Sequence, residues 1–442
     1  MQPYDGAVTD DLSDGPVAVR IGVLGCGNVG APLVDLIATQ GPGIQARTGL
    51  SLEVTRVAVR DLSKPRDIRL PSDRLTTDAR SIVDDPEVDV IVELIGGMEP
   101  ARELILAALK AGKPVITGNK ELLANAGAEL FQAAESAGVD LLFEAAVAGG
   151  IPIIRPLRES LVGERINRVL GIVNGTTNYI LTRMSEGGAS YADALAEAQT
   201  LGYAEADPTA DVEGYDAGAK AAIIASIAFG VGVTAADVQH EGISGITETD
   251  IAFAKRMGFV IKLLAVAEQD GADEISVRVH PAMVPVEHPL AAVRESFNAV
   301  FVEGAAVGDL MFYGRGAGGL PTASAILGDL VDAAVNRHKG SHASVGQLGT
   351  AAFRSVDDVE SAYYLNVQVL DRPGVLAQVA GVFGDNRVSI RSMEQEGMGD
   401  EARLIFITHI AREADVRATL HTLSELEAVD RIGSVLRVIG RD

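Results

Sequence analysis

The stretch Gly25-Cys26-Gly27-Asn28-Val29-Gly30 constrains the fold more than any other part of the chain. It follows an apolar run, Val17 to Leu24, and opens a helix-length segment from Gly30 to about Thr39. In that setting a G-x-G-x-x-G permits a tight turn, close approach of backbone to a pyrophosphate, and packing of helix on strand. Free N–H groups and the positive end of the helix dipole then face the ligand. The surroundings agree. A second strand, Leu52 to Arg60, runs into the charged loop Arg60-Asp61-Leu62-Ser63-Lys64-Pro65, and Val88 to Ile95 is an apolar run too short for a helix, closed by Gly96-Gly97. A helix from Pro100 to Ala111, a strand from Pro114 to Thr117, a helix from Glu121 to Ala137 and a strand from Asp140 to Ala146 follow. Strand alternating with helix at this spacing predicts an α/β fold with a doubly wound parallel sheet. Its first turn, Gly25, Cys26, Gly27, Asn28, Val29 and Gly30, then reads as the dinucleotide site, with a merely structural turn as the other reading. Where an acidic residue would hold a ribose 2′-OH, the second strand ends in Val59-Arg60-Asp61. Arg60, with Lys64 near it, favours a 2′-phosphate and so NADP over NAD; a solvated Arg-Asp loop is the other reading.

The 442 residues leave room for two to four compact units. We read 1–16 as a disordered leader, since it is acidic and lacks a basic n-region followed by an apolar core, and 17–145 as the dinucleotide-binding domain. The rhythm then changes to hairpin-like pairs and longer helices through 337, a second domain for substrate, with the helix near 320–337 able to return to the first. Residues 338–360, rich in Gly, Ser, Ala and His, read as a linker. From 361 to 442 the order is β-α-β-β-α-β, the split βαβ of a ferredoxin-like domain. With 37 basic against 61 acidic side chains, the net charge of −24 repels phosphodiester backbones and anionic lipids, so neither nucleic acid nor membrane is an expected partner. A single cysteine, Cys26, excludes an intramolecular disulfide and fits a reducing compartment, the cytoplasm.

The densest constellation of reactive groups lies between Leu201 and Lys220, where Glu205, Asp207, Asp211, Glu213 and Asp216 precede an almost wholly apolar helix. Asp216 and Lys220 stand at i,i+4 on one helical face. Either they form a solvated ion pair, or the lysine is partly buried and tuned as a proton donor or acceptor. Lys120 follows a sheet strand, and ligands bind beyond the carboxyl ends of parallel strands, so it is a candidate for the catalytic crevice or simply a helix-start surface lysine. Gly314 to Thr322, with Gly318 at its centre, opens a helix and either closes over a cofactor or serves as a turn. Cys26 sits inside the nucleotide turn, which leaves no thiol for a covalent thiohemiacetal mechanism.

Asn174-Gly175-Thr176-Thr177-Asn178-Tyr179-Ile180, Gly202-Tyr203-Ala204-Glu205-Ala206-Asp207-Pro208, Asp211-Val212-Glu213-Gly214-Tyr215-Asp216, Lys220 and Gly316-Ala317-Gly318-Gly319-Leu320-Pro321-Thr322 occur in order. In these motifs the chain resembles homoserine dehydrogenases of the monofunctional type with a C-terminal ACT domain. The resemblance runs from about Val17 to Ile439. It implies an N-terminal Rossmann domain, an α+β substrate and dimerisation domain, and a homodimer or homotetramer. The implied reaction is reversible NAD(P)H-dependent reduction of L-aspartate 4-semialdehyde to L-homoserine, on the route to threonine, methionine and isoleucine. It further implies that Lys220 is the acid/base, Asp216 its close partner and Lys120 a second lysine near substrate and nicotinamide. Glu205 and Asp211 become substrate-site carboxylates, with Thr176, Gly202 and Tyr203 beside them and Gly318 against the cofactor. Glu144, with the carbonyls of Val147, Gly149 and Ile151, resembles a loop for a structural monovalent cation such as sodium. Asp371-Arg372-Pro373-Gly374-Val375-Leu376 looks like the first strand-to-helix turn of an amino-acid-sensing module, with L-threonine the expected effector. Asp385-Asn386-Arg387 departs from the glycine that many such modules carry before their second strand. Two rivals stand beside this reading: another amino-acid oxidoreductase on the same plan, and a catalytically silent sensor.

Overall fold

Short strands buried on both faces build the first sheet, because a parallel strand covered by helices above and below has no polar side to present. The computed structural model of the protein describes residues 15–440 apart from Asp67, Ala272, Asp273 and Met398, so most of the expected leader lies outside the described residues. Two units partition the chain: the first takes the described residues up to Leu122 with Glu129–Ala145 and Gly318–Ser344, and the second takes Leu123–Ala128, Ala146–Ala317 and Val345 onward.

In the first unit β1 (Val17–Leu24), β2 (Leu50–Ala58), β3 (Leu75–Thr76), β4 (Val90–Glu93), β5 (Val115–Thr117) and β6 (Leu141–Leu142) form one parallel sheet in the order β3-β2-β1-β4-β5-β6. This is the doubly wound order, with its reversal between β1 and β4. The helix opening at Gly30 runs to Thr48, well past the expected end near Thr39. Pro42 lies inside it, but Ile44 continues the buried stripe of Leu33 and Ile37, and that burial carries the helix on until Gly49 closes it at φ 75°. The strand expected over Asp140–Ala146 is cut to Leu141–Leu142, and a 3-10 turn, Glu144–Ala146, replaces its end. The helix Gly319–Lys339 packs in this unit through Ala323, Ile326 and Leu330. Its last turn is tied down by polar contacts: Arg337 donates to Asp89 Oδ1 at 3.0 Å, and Asn336 donates to the Asp140 carboxylate at 3.2 Å.

The second unit holds β7 (Ile166–Ile172), β8 (Val231–Gly232), β9 (Gln239–His240), β10 (Phe259–Asp270), β11 (Glu274–Pro285), β12 (Phe297–Gly304) and β13 (Gly308–Arg315). It continues with β14 (Gly349–Thr350), β15 (Ala352–Phe353), β16 (Glu360–Leu370), β17 (Ile390–Gly397), β18 (Glu401–Thr408), β19 (Ala411–Arg412) and β20 (Val429–Val438). β16, β17, β18 and β20, with the helices Val375–Asp385 and Glu413–Ser424, make the ferredoxin-like module, its sheet ordered β20-β16-β18-β17. This sheet does not stop at the module. β20 pairs in parallel with β11 through Ala282 and Arg437 and through Met283 and Val438, giving the continuous order β13-β12-β7-β10-β11-β20-β16-β18-β17. Within 338–360, β14 pairs with β8 and β15 with β11. At the departure noted in the sequence, Arg387 takes the left-handed conformation (φ 62°) that a glycine would otherwise supply, at a cost of roughly 1–2 kcal/mol.

Candidate active site

In the first unit the turn after β1 is shaped by backbone contacts. A Cβ on Gly30 would come 2.3 Å from the Gly25 carbonyl oxygen, and one on Gly25 would come 2.6 Å from the Leu94 carbonyl oxygen. At Gly27 a Cβ would meet nothing within 4 Å: here the sequence keeps open the space above the turn. Val29, the N-cap of Gly30–Thr48, offers no side-chain acceptor, and the first turn of that helix carries no acidic residue. Such an end favours an anion. A Cβ on Gly319 would lie 2.2 Å from the Asn28 carbonyl oxygen, which sets the Gly318-Gly319 turn directly against the Gly25–Gly30 loop. Cys26 is half-buried against the core, where burial pushes its thiol pKa up and the Arg66 charge opposes that shift. Arg60 and Lys64 are exposed. Arg66, which the sequence did not single out, donates to the carbonyl oxygens of Asp61 and Lys64 at 2.9 Å and so fixes the loop that carries both.

The carboxyl ends of β4 and β5 carry a second feature that was not read from sequence. Glu93 is fully buried and accepts from Ile95 N at 2.7 Å, Gly96 N at 3.0 Å and Thr117 Oγ1 at 2.6 Å. An acid inside the otherwise apolar stretch Val90 to Ile95 was the signal. It pins the Gly96-Gly97 turn, whose Gly97 carbonyl accepts from Asn119 Nδ2 at 2.7 Å. Asn119 caps the helix Lys120–Ala137, so Lys120 opens a helix at the crevice end of the sheet.

In the second unit the structure gathers Lys220, Asp216, Asp211 and Thr176 around one residue left without a role in the sequence, Asn174. Lys220 Nζ donates to Asp216 Oδ2 at 2.7 Å and to the Val173 carbonyl oxygen at 2.7 Å. The Lys220 and Asp216 side chains are only 12 % and 10 % exposed, so the pair is not a solvated i,i+4 bridge. Asn174 Nδ2 donates to Asp211 Oδ1 at 2.6 Å and Asp216 Oδ2 at 2.9 Å, while its Oδ1 accepts from Thr177 N at 2.9 Å and caps the helix Gly175–Gly187. Its signal was an Asn ahead of a Gly-Thr-Thr helix start. Burial, reinforced by the Asp216 charge and resisted by the Asn174 donor, holds the Asp211 carboxyl above the usual aspartate range. Thr176 Oγ1 donates to the Tyr203 carbonyl oxygen at 2.6 Å, and the Tyr203 ring packs on Tyr179 with centroids 5.0 Å apart, which fixes the Gly202-Tyr203 turn. Glu205 is exposed on that loop, its backbone oxygen accepting from Gln199 Nε2 at 3.0 Å. Of the expected cation ligands, Glu144 is buried in the first unit, its N–H donating to Asp329 Oδ2 at 2.8 Å. Val147, Gly149 and Ile151 belong to the second, where Ala148 and Gly149 both take φ 54°.

A doubly wound sheet with an open glycine turn and a buried lysine-carboxylate relay defines an oxidoreductase that uses a nicotinamide cofactor. Comparison with known proteins makes this specific. Residues 25–144 match the homoserine dehydrogenase NAD-binding domain, 152–331 the homoserine dehydrogenase domain and 363–428 the ACT domain. Homoserine dehydrogenase of Corynebacterium glutamicum is 52% identical over 426 residues, 95% of this chain and 96% of that protein. The crystal structure of a homoserine dehydrogenase from Thiobacillus denitrificans superposes with a TM-score of 0.91 at 42% identity, covering 96% of this chain and 99% of the other. A hyperthermophilic archaeal homoserine dehydrogenase in complex with NADPH gives a TM-score of 0.61 at 28% identity over 72% of this chain and 98% of its own. The chain belongs to the homoserine dehydrogenase family, oxidoreductases acting on a CH–OH group, and carries a C-terminal ACT domain. No helix among the described residues is long and apolar enough to cross a membrane.

Proposed function

We propose that the chain catalyses the reversible NAD(P)H-dependent reduction of L-aspartate 4-semialdehyde to L-homoserine, with Lys220 as the proton donor to the substrate oxygen. The observation that carries this reading is the fixed ammonium: two of its three N–H bonds are taken by Asp216 and Val173, and the third is left for a substrate oxygen. The bound cofactor supplies hydride chemistry, so the protein has only to orient the reactants and manage one proton. Lys220 delivers that proton to the developing alkoxide and takes it back in the oxidative direction. Asp216 holds the ammonium in place, and Asn174 holds Asp216. Glu205 and Asp211 offer acceptors for a substrate ammonium, with Thr176, Gly202 and Tyr203 shaping the loop beside them. Lys120, at the crevice end of the sheet, serves the substrate and nicotinamide. In Lys220→Ala, kcat should fall roughly 10²–10⁴-fold with nucleotide affinity intact, the usual worth of a positioned acid/base. Near-normal turnover would defeat the assignment.

The cofactor preference we propose is NADP, with NAD also accepted. The exposed guanidinium of Arg60 and the Lys64 ammonium support it, as does the NADPH complex of the archaeal relative. The loop of Glu144, Val147, Gly149 and Ile151 is proposed to take a structural monovalent cation such as sodium. Within the second unit, the consecutive left-handed residues Ala148 and Gly149 turn successive carbonyls, the kind of oxygen ligand a hard cation takes. We assign the ACT domain the role of feedback regulation by L-threonine, in a cytoplasmic homodimer or homotetramer that serves threonine, methionine and isoleucine synthesis.

A further inference from the structure

A lysine inside an otherwise apolar stretch of strand needs a reason, because burying an ammonium costs far more than burying an apolar side chain of similar size. Lys262 stands in β10 between the buried Ile261 and Leu263 and is itself 4% exposed. Its Nζ donates to Asn178 Oδ1 at 2.9 Å and to the Val293 carbonyl oxygen, both neutral acceptors. The charges of Glu186 and Arg294 act on it with opposite signs, and burial prevails, pushing its pKa down to about 8. The neutral amine still carries two N–H bonds, so both contacts survive in either protonation state.

Asn178, also buried, passes this anchoring on. Its Nδ2 donates to the carbonyl oxygens of Glu295 at 2.8 Å, Phe297 at 3.2 Å and Val293 at 3.4 Å. Lys262 decides which way the amide faces: flipped, its NH2 would meet the lysine's N–H bonds and its oxygen would meet carbonyls. The segment held in this way lies against the helix Gly175–Gly187. Glu295 takes φ 54° with its N–H donating to Thr182 Oγ1 at 3.2 Å, and a Cβ on Gly175 would come 2.8 Å from the Ser296 carbonyl oxygen. The same helix start supplies the Val173 carbonyl to Lys220, the Asn174 amide to Asp211 and Asp216, and the Thr176 hydroxyl to the Tyr203 carbonyl.

We propose that Lys262 is a positioning residue for the reaction: it locks the Asn178 amide, the amide seats residues 293–297 against the first turn of the helix Gly175–Gly187, and that turn sets the Val173 carbonyl and the Asn174 amide that hold Lys220 and Asp216. Its part is geometric, with no proton transferred. The proposal rests on the reading of Lys220 as the proton donor and adds the residue that aims it. A group kept for stability alone would be replaced to advantage by an apolar one. The lysine gives what an apolar side chain cannot, a donor that reaches Asn178 and Val293 together.

The test measures homoserine oxidation by the full chain at saturating cofactor, well below the thermal midpoint. Lys262→Met keeps an unbranched side chain and removes the donor. It should lower kcat about 10- to 100-fold, the scale of a misplacement of about 1 Å, and displace the pH profile of kcat, because the groups that set it have lost their fixed spacing. Nucleotide affinity should stay at the parent's value, since Lys262 lies in the second unit. In an Asn178→Ala or Asn174→Ala background the same substitution should cost little more, because the route it acts through is already cut. Lys262→Gln takes its place if Lys262→Met fails to fold, and the single variant's pH profile decides if the double variants do. Parental kcat, a profile that does not move, or losses that multiply in the double variants each overturn the positioning role while sparing the Lys220 reading. Near-normal turnover in Lys220→Ala overturns both.

Discussion

Replacing Asn174 by Asp exchanges one amide NH2 for a carboxylate oxygen and changes very little shape. Aspartate caps a helix as well as asparagine, so the bond from Thr177 N survives. Both donations to carboxylates, at 2.6 Å to Asp211 and 2.9 Å to Asp216, are lost, and hydrogen bonds to charged groups contribute about 1.5–3 kcal/mol each. A third carboxylate then faces two others; unit charges 4 Å apart repel by about 4 kcal/mol at an effective dielectric of 20. The cluster escapes by binding a proton. At pH 7 that caps the charge penalty at the cost of protonating an ordinary aspartate, about 4 kcal/mol at 1.36 kcal/mol per pH unit, and at pH 5 the cap falls to about 1.5 kcal/mol. The folded variant thus binds more protons than its unfolded chain above the ordinary aspartate range, and its stability falls as pH rises through that window. The already raised Asp211 is the natural acceptor of that proton. Thermal midpoints of the variant and parent at pH 5 and pH 7 provide the assay. The deficit should shrink markedly on acidification, and turnover at pH 7 should drop with it. An equal deficit at both pH values, or none at either, would refute the picture of Asn174 as the donor that keeps two carboxylates side by side.

The glycine turn gives a paired expectation: Gly27→Ala should leave the thermal midpoint in place and weaken nucleotide binding, whereas Gly30→Ala, 2.3 Å from the Gly25 oxygen, should destabilise by roughly 1–3 kcal/mol even without nucleotide. Titration calorimetry and thermal melts separate the two, and equal behaviour would put the cofactor elsewhere. If Arg60 is the proposed 2′-phosphate partner, Arg60→Asp should move the ratio of kcat/KM values from NADP toward NAD by setting a like charge there; an unchanged ratio would place the contact on another residue. Cutting the chain after Arg337 should yield a poorly soluble or unstable product, because it strips β11 of β15 and β20 and leaves Asp250 buried without Tyr364 and Ser434. A soluble truncated enzyme melting at the parent's temperature would contradict this.

What the sequence disclosed depended on how local the cause was. Five of the six strands of the first sheet were legible because each shows a short apolar run and the glycine pattern fixes the start, whereas β3, only Leu75–Thr76, is too short to show a pattern and was not read. The Lys220–Asp216 pair was legible as spacing, but its burial was not, since an i,i+4 pair looks the same on a wet face as on a dry one. Asn174 and Glu93 were missed for a related reason. Asn174 stood inside the polar run Asn174–Asn178 with no sign that it would face carboxylates 37 and 42 residues on, and Glu93 gave no sign of its partner Thr117, 24 residues on. The helix end at Thr48 was hidden behind Gly41-Pro42-Gly43, where local breakers lose to the burial of Ile44.

The joining of the C-terminal sheet to β11 could not be seen from pattern at all, and it changes what the module is. A ferredoxin-like sheet has an edge at β20, and an open edge is a hazard that proteins cover. Here β11 covers it, with Ile439 N donating to the Met283 carbonyl oxygen at 2.8 Å and Arg437 reaching Glu241 Oε1 at 2.8 Å and Glu413 Oε2 at 2.9 Å. Glu241 begins a strap, 241–249, that rests on Val212–Gly214. The ACT domain is therefore joined to the substrate domain by strand pairing, so β20 and β11 share one sheet, with the Glu241 strap beside them. Under the proposed feedback regulation, substitutions within 241–249, which join the two domains' packing, should change the half-inhibiting effector concentration more than the uninhibited kcat; equal changes in both would count against that route.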